Sequence, residues 1–360
     1  MLIYWLLFAF PAIGALTSVR DERRAQGDVG LTFFFMIAFW LLYNVLATLR
    51  FNVGADWYNY SRMVETIRHE TLAFALGYGD VGFTFMIWLF NQFGIGIYGI
   101  NGLCALILST GVIAMARRTP DPWLAIAAAV PYLLIVVGLG YIRQGAAIGF
   151  ILLAINAFTD RRIVAALLWF MLAMMFHIAA IVVLPVIGLA VMRRNLPGLI
   201  GTAMVGLGVY SYLLTDERLE SFQAGYIDAE YNSGGAAIRL LMNLAPAGLF
   251  LLRRNVLEID EGERAIWTNI AIASILCFVA YYLSPSSTAV DRVALFFSPI
   301  QVFMFGWYLR ALKEQGRAGA MLVLAALCYC ALVQFVWLFY ATHSKSWVPY
   351  RWIFDRVEGV

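Results

Sequence analysis

The chain has 360 residues, of which 62% are hydrophobic and only 13% are charged, with a net charge of +3. A soluble domain usually carries about 25% charged residues, so the composition excludes an ordinary soluble domain and indicates a polytopic membrane protein. The apolar runs are continuous rather than alternating, which excludes a transmembrane β-barrel. The small net charge gives no reason to expect a nucleic-acid partner.

Apolar runs predict an all-α membrane domain over residues 1–360 with about twelve transmembrane helices. The run 81–93, VGFTFMIWLFNQF, is too short for a comfortable crossing and predicts a re-entrant or interfacial helix. The first run lacks a basic segment before it, so we expect it to be a retained span. The predicted spans lie near residues 2–18, 31–48, 98–116, 122–140, 143–158, 163–176, 177–192, 197–214, 237–252, 266–283, 292–310 and 319–340.

Basic residues predict the orientation of the chain in its membrane. Fifteen of the 25 Lys and Arg residues fall in six alternate loops, and these loops share one side only if 81–116 crosses the membrane once. Because loops rich in Lys and Arg face the cytoplasm, both termini and the loops 49–80 and 215–239 are expected to face the periplasm or exterior. The basic, aromatic tail 343–355 is expected to anchor at the interface.

Four arginines stand at separate outward helix ends: Arg50, Arg143, Arg239 and Arg292. If they meet in space, they form a cationic pocket suited to a diphosphate carried by a lipid, because a guanidinium pairs two phosphate oxygens at once. Plainer interpretations stay open. Arg50 and Arg143 could reach the headgroups from the membrane surface, and Asp291 and Arg292 could form a structural ion pair.

Two titratable residues on the same face are candidate catalytic groups. Asp56 follows the flexible Gly54 and opens a stretch with the spacing of an amphipathic interfacial helix. His177 lies at an outward turn in an apolar stretch, where it suits a general base, although a buried core histidine is the alternative. Tyr60 and Gln144 are further candidate substrate-binding residues. No metal-binding or nucleotide-binding motif occurs, so neither a metal nor a cofactor is expected.

Four segments, in this order, resemble the EpsG family. The resemblance is strongest over residues 45–190 and implies a relative of the Wzy-type polymerases of exopolysaccharide and O-antigen, with an architecture similar to GT-C glycosyltransferases. It also implies a substrate of glycans linked to undecaprenyl diphosphate, outside the inner membrane. The segments are LRFNVGADWYNY, GDVGFTFMIWLFNQFG, YIRQGAAIGFILLA and FHIAAIVVLP.

The resemblance favours an inverting, metal-independent glycosyltransferase. Arg50, Arg143 and Arg292 are expected to stabilise the leaving diphosphate, and Asp56 or His177 to activate the acceptor hydroxyl. The expected partners are the undecaprenyl-diphosphate-linked oligosaccharide, membrane lipid, a chain-length regulator and export proteins. Two alternatives stay open: a flippase or transporter of lipid-linked saccharide, and a non-catalytic subunit of a polysaccharide-export complex.

Overall fold

The computed structural model describes residues 1–20, 29–192, 235–284, 287–312 and 316–358. The regular structure of these residues is helical, apart from one isolated bridge that pairs Arg50 with Trp352. The predicted all-α class is therefore confirmed. The predicted span 197–214 and most of the loop 215–239 lie outside the described residues.

Seventeen α-helices occur in these ranges and are numbered here in chain order. A π-helical segment, Val130–Val137, joins α7 to α8, and 3-10 turns cover Ile178–Val183, Thr342–Ser346 and Ile353–Glu358. The α-helices are α1 (Leu2–Arg20), α2 (Val29–Leu49), α3 (Trp57–Ile67), α4 (Leu72–Tyr78), α5 (Val81–Gln92), α6 (Gly96–Ala116), α7 (Pro122–Ala129), α8 (Gly138–Gly140), α9 (Ile142–Thr159), α10 (Ile163–Phe176), α11 (Leu184–Met192), α12 (Ala236–Arg253), α13 (Glu261–Leu283), α14 (Ser287–Leu295), α15 (Pro299–Gly306), α16 (Tyr308–Leu312) and α17 (Gly316–Tyr340).

Seven helices of the described chain are long and apolar enough to cross a membrane, and α14 with α15 would form an eighth span bent by 45°. Three shorter apolar helices, Leu2–Ser18, Ile163–Phe176 and Ile178–Gly188, coincide with other predicted spans. The predicted total of about twelve is therefore not confirmed. The chain is a multi-pass membrane protein by the length and composition of its helices.

The span Pro122–Gly140 forms the centre of the bundle and is completely buried. It is apolar on every side, as a helix enclosed by other helices must be, and it packs against α1, α6, α15 and α17. Helices α6 and α9 approach closely beside it, where a side chain on Gly111 would collide with the backbone of Gly149. Small residues allow such close packing between membrane helices.

The short helix predicted near 81–93 is confirmed as α5, whose 12 residues reach only about 18 Å. The amphipathic helix predicted after Asp56 is confirmed as α3, which buries one face made of Trp57, Tyr60, Val64 and Ile67. Asn91 at the end of α5 donates to the carbonyl oxygen of Val64 at 2.9 Å, which ties the two helices together.

Several of the arginine-rich loops lie together at one end of the bundle. Arg118 pairs with Asp160 at 2.6 Å, and both residues are within electrostatic range of Glu263 at the start of α13. The amide of Asp121 donates to Gly306 at 3.0 Å, which brings the end of α15 to the same place. This grouping agrees with the predicted sidedness of these loops, whereas their orientation in the cell stays a prediction.

The C-terminal tail turns back into the bundle rather than only lying at the interface. Trp347 is fully buried, and its indole donates to the carbonyl oxygen of Ile135 at 3.0 Å. The hydroxyl of Tyr4 donates to the carbonyl oxygen of Trp347 at 2.6 Å, and the hydroxyl of Tyr350 donates to Leu46 at 2.6 Å. The tail therefore holds α1, α2 and the π-helical segment together.

Candidate functional site

Asp80, in the turn between α4 and α5, joins three distant parts of the chain. Its Oδ2 accepts a hydrogen bond from Nη1 of Arg143 at 3.0 Å, and its Oδ1 accepts one from the amide of Ile178 at 3.1 Å. Nδ1 of His177 lies 3.6 Å from Oδ2 of Asp80. Two predicted site residues, Arg143 and His177, are therefore brought together by a carboxylate that the sequence pattern did not single out.

Each of these residues stands where a helix begins or ends. Asp80 precedes the first residue of α5, Arg143 is the second residue of α9, and His177 ends α10 with an extended backbone, φ −157° and ψ 107°. Helix ends leave backbone donors and acceptors without intrahelical partners, and Asp80 satisfies one of them at Ile178. The breaks in these helices therefore place polar side chains next to one another.

Electrostatics keeps Asp80 ionised. Burial alone would raise its pKa, but the neighbouring His177, the charge of Arg143 and the Ile178 amide together hold the pKa of this carboxyl below its ordinary value. An ionised Asp80 beside Nδ1 of His177 favours the proton on that nitrogen. The other ring nitrogen, Nε2, is then left as a proton acceptor.

Arg143 is held in place and still keeps unused donors. Its guanidinium lies over the rings of Tyr60 and Phe83, at 5.8 and 5.7 Å from their centroids. Its side chain is 33% exposed, and among the described residues only its Nη1 has a hydrogen-bond partner. Because Asp80 engages only one edge of the guanidinium fork, the rest can meet an anion from the open side.

A second ion pair lies beside the first. Nε and Nη2 of Arg239 donate to the two carboxylate oxygens of Asp291 at 2.8 and 2.7 Å, and Nε2 of Gln144 donates to the carbonyl oxygen of Arg292 at 2.6 Å. Tyr141 is within electrostatic range of Asp56 on one side and of Arg239, Asp291 and Arg292 on the other. The structure thus places Gln144, Arg239 and Arg292 near one another, with Arg143 directly before Gln144 in α9.

Asp56 lies at the rim of this group as a half-buried carboxylate. Its neighbours are the hydroxyl of Tyr60 at 3.5 Å and the side-chain amide of Asn59 at 3.4 Å. Both distances are at the long limit of hydrogen bonding, and no cation of the described chain pairs with Asp56. Its oxygens are therefore available to a hydroxyl ligand.

Arg50 is placed differently from the other predicted arginines. Its side chain is almost fully buried, with 1% exposed, and it donates to the carbonyl oxygens of Ala47 and Val53 and to Oδ1 of Asn101. Burial lowers its pKa to about 10, so it stays charged at neutral pH. These contacts indicate that Arg50 supports the loop before α3, and we leave it out of the proposed diphosphate site.

Gly54 is needed for backbone packing in the same loop. Its φ of +108° suits glycine, and a side chain there would collide with the carbonyl oxygen of Leu139. Its amide donates to Ser346 of the tail at 2.7 Å. Gly54 therefore allows two parts of the protein's own backbone to approach each other closely.

The charges described at the site balance, because Arg143, Arg239 and Arg292 stand near the three carboxylates of Asp56, Asp80 and Asp291. The site therefore differs from the purely cationic pocket that the arginines suggested. Across the described ranges no group of three or more His, Cys, Asp or Glu residues is placed to hold a metal ion. Asp80 could have been found from GDVGF, since an aspartate directly before a short apolar helix is a helix-start signal.

Comparison with protein-family models matches residues 32–352 to the model described as the EpsG family. A search of curated proteins and a search of solved structures each found no significant match. The family match covers nearly the whole chain and includes every residue of the site described above.

Proposed function

The chain belongs to the EpsG family, and from this premise we propose that it polymerises glycan repeats carried on polyprenyl diphosphate at the outer face of the inner membrane. Membership of the family suggests a polysaccharide polymerase-like membrane protein. The observation that carries the finer proposal is the convergence of Arg143 and His177 on Asp80, with Arg239 and Arg292 beside them. A cation for a phosphate and an oriented base are the two parts that glycosyl transfer from a lipid diphosphate requires.

The proposed reaction is a single displacement. The oxygen of an acceptor hydroxyl forms a bond to the anomeric carbon of the donor glycan, and the bond from that carbon to the diphosphate oxygen breaks. The polyprenyl diphosphate leaves with the bonding electrons, and the hydroxyl proton passes to a base on the protein. One displacement inverts the configuration at the anomeric carbon and needs no covalent intermediate.

The roles follow from the contacts of each side chain. Arg143 binds the leaving diphosphate through the donors that Asp80 does not use, and Arg292 adds positive charge beside it. Nε2 of His177 takes the proton, while the negative charge of Asp80, 3.6 Å from Nδ1, favours the tautomer that carries its own proton on Nδ1. Asp56 accepts a hydrogen bond from the acceptor sugar and so orients it.

The test is reconstitution of the full chain in liposomes with a defined polyprenyl-diphosphate-linked oligosaccharide, followed by sizing of the products. The proposal expects products longer than two repeats from the natural chain and at least a hundredfold slower polymerisation after Arg143→Gln or His177→Ala. Arg62→Gln is the matched control, since Arg62 is an exposed arginine of α3 whose only described polar partner is Asn59 at 3.5 Å. Polymer of normal length and rate from both site variants would refute the site.

A transporter of lipid-linked saccharide is the second candidate, favoured by helix breaks near the site. Helices are interrupted at Tyr141 and His177, and α14 and α15 form a bent pair. Discontinuous helices frequently line substrate sites in transporters. The same liposomes distinguish the two functions, because a transporter moves labelled lipid-linked oligosaccharide between leaflets without lengthening it.

A further inference from the structure

A groove at the opposite end of the bundle has features of a lipid-binding site. It encloses about 420 Å³, and its lining includes Arg254, Glu261, Arg264, Thr268, Asn269 and Ile272. Helix α12 carries Arg239 near its first residue and ends at Arg253, and 18 helical residues span about 27 Å. The groove is therefore separated from the proposed catalytic site by the thickness of the bundle.

The polar lining offers unused groups of the kind that a phosphate diester and its headgroup require. In the described part of the chain the side chain of Arg254 has no hydrogen-bond or ion-pair partner. Arg264 donates through Nη2 to the carbonyl oxygens of Leu257 and Ile259, at 3.3 and 3.1 Å, and its Nη1 has no partner among the described residues. Asn269 uses its amide nitrogen to donate to Val186 at 2.9 Å, which leaves its side-chain oxygen for a hydroxyl. Two arginines against Glu261 leave a net charge of +1, which matches one phosphodiester.

The groove continues into an apolar stripe along the same helix. From Thr268, steps of three or four residues lead along one face of α13 to Ile272, Leu276, Val279 and Leu283. All four of these apolar side chains are exposed. A polar recess that opens onto an exposed apolar stripe is complementary to a phospholipid. The recess can hold the headgroup, and the stripe can contact the acyl chains.

We propose that this groove binds an anionic phospholipid, with its phosphate between Arg254 and Arg264 and one acyl chain along Ile272, Leu276 and Val279. The neighbouring arginine-rich loops, among them Arg118, place the groove on the predicted cytoplasmic side, where basic pockets between membrane helices bind anionic headgroups. The site is separate from the proposed polymerase chemistry and does not depend on it.

The test measures the lipid retained by the purified full chain in detergent, by native mass spectrometry. Dioleoyl phosphatidylglycerol and dioleoyl phosphatidylcholine are the probes, since they share acyl chains and differ in headgroup charge. Preferential retention of phosphatidylglycerol is expected, and Arg254→Gln should weaken it about fivefold, the effect of one arginine near an anionic lipid. The side chain of Arg254 has no hydrogen-bond or ion-pair partner in the described chain, so this variant should fold.

Arg310→Gln is the matched control, because it removes the same charge from an exposed residue outside the groove. It should leave the retention of phosphatidylglycerol unchanged. Equal retention of the two lipids, or equal loss in Arg254→Gln and Arg310→Gln, would overturn the proposal. Complete displacement of phosphatidylglycerol by glycerol 3-phosphate would also overturn it, since the groove would then select a soluble anion and not a lipid.

Discussion

Replacing Asp80 with asparagine tests the centre of the proposed site, because the substitution removes one charge and keeps the shape. Asparagine can still accept the hydrogen bond of the Ile178 amide, so the turn before α5 should persist. Arg143 would lose its ion-pair partner at 3.0 Å, and His177 would lose the carboxylate beside Nδ1. The variant therefore separates the electrostatic role of Asp80 from its local structural role.

The expected loss of stability can be worked from burial. Removing one partner of a fully buried ion pair costs about 3–5 kcal/mol. The side chain of Arg143 is 33% exposed, so water recovers part of this, and we expect about 2 kcal/mol. The pKa of Asp80 is lower when folded, so its contribution is fully present above the unfolded pKa of about 4 and is lost as the pH falls through the lower folded pKa. The difference in stability between the two proteins should shrink in that acidic range.

The decisive measurement is the polymerisation rate in the liposome assay, corrected for the folded fraction. We expect a loss of about 100-fold or more in Asp80→Asn, because misorientation of a general base forfeits much of its effect. Asp160→Asn is the matched control, since it breaks the Arg118 pair at the opposite end, where the two side chains are 45% and 31% exposed. If Asp80→Asn polymerised within threefold of the natural chain, Asp80 would not orient the base, and the mechanism would be wrong.

Three further predictions concern other parts of the molecule. Trp347→Ala should lower the free energy of unfolding by about 3–5 kcal/mol, as measured by thermal unfolding in detergent. Trp88→Ala is the control, and its loss should be smaller because Trp88 is only half-buried. Burial raises the pKa of Asp121 to about 6, which disfavours its charged form in the folded state. Asp121→Asn should therefore stabilise the protein above pH 6 by on the order of 2 kcal/mol, with a gain that shrinks toward pH 4. Asp291→Asn and Arg239→Gln should each lower the free energy of unfolding. Because the two residues form a pair, the double variant should lose less than the sum of the two single losses, and a double-mutant cycle measures this difference.

The helical class and most span positions could be predicted because continuous apolar runs are a strong signal. Spans such as Pro122–Gly140 and Ile142–Thr159 agree closely with the predicted 122–140 and 143–158. The total number of crossings could not be settled in the same way. An apolar run such as 163–176 is only 14 residues long as a helix, and hydropathy cannot tell whether such a helix crosses the bilayer or packs within the protein.

Charge predicts a shared outward face for the four arginines, but neither the burial of Arg50 nor the partners of the other three. The orientation rule does not account for cations on the outward side. The sequence therefore predicts a shared role for Arg143, Arg239 and Arg292 at that end. Asp80 carries a helix-start signal, but such an aspartate is common, and its role becomes visible only because α9 begins and α10 ends beside it. The burial of Trp347 was also not predictable, since the same aromatic pattern suits an interface and a core.

Arg50 and Arg143 occupy different environments, which suit the different roles that we propose for them. The polar contacts of Arg50 are two backbone carbonyls and Asn101, none of them an anion, and its 1% exposure leaves no surface from which a ligand could approach. Arg143 has one carboxylate partner, two ring faces and a third of its side chain open. An arginine that binds a ligand must keep its position when the ligand leaves. A partner that contacts only one edge of the guanidinium group holds the side chain in place and leaves the other donors for the ligand. In the proposed mechanism, the ion pair with Asp80 therefore prepares Arg143 for an anion and does not neutralise its role.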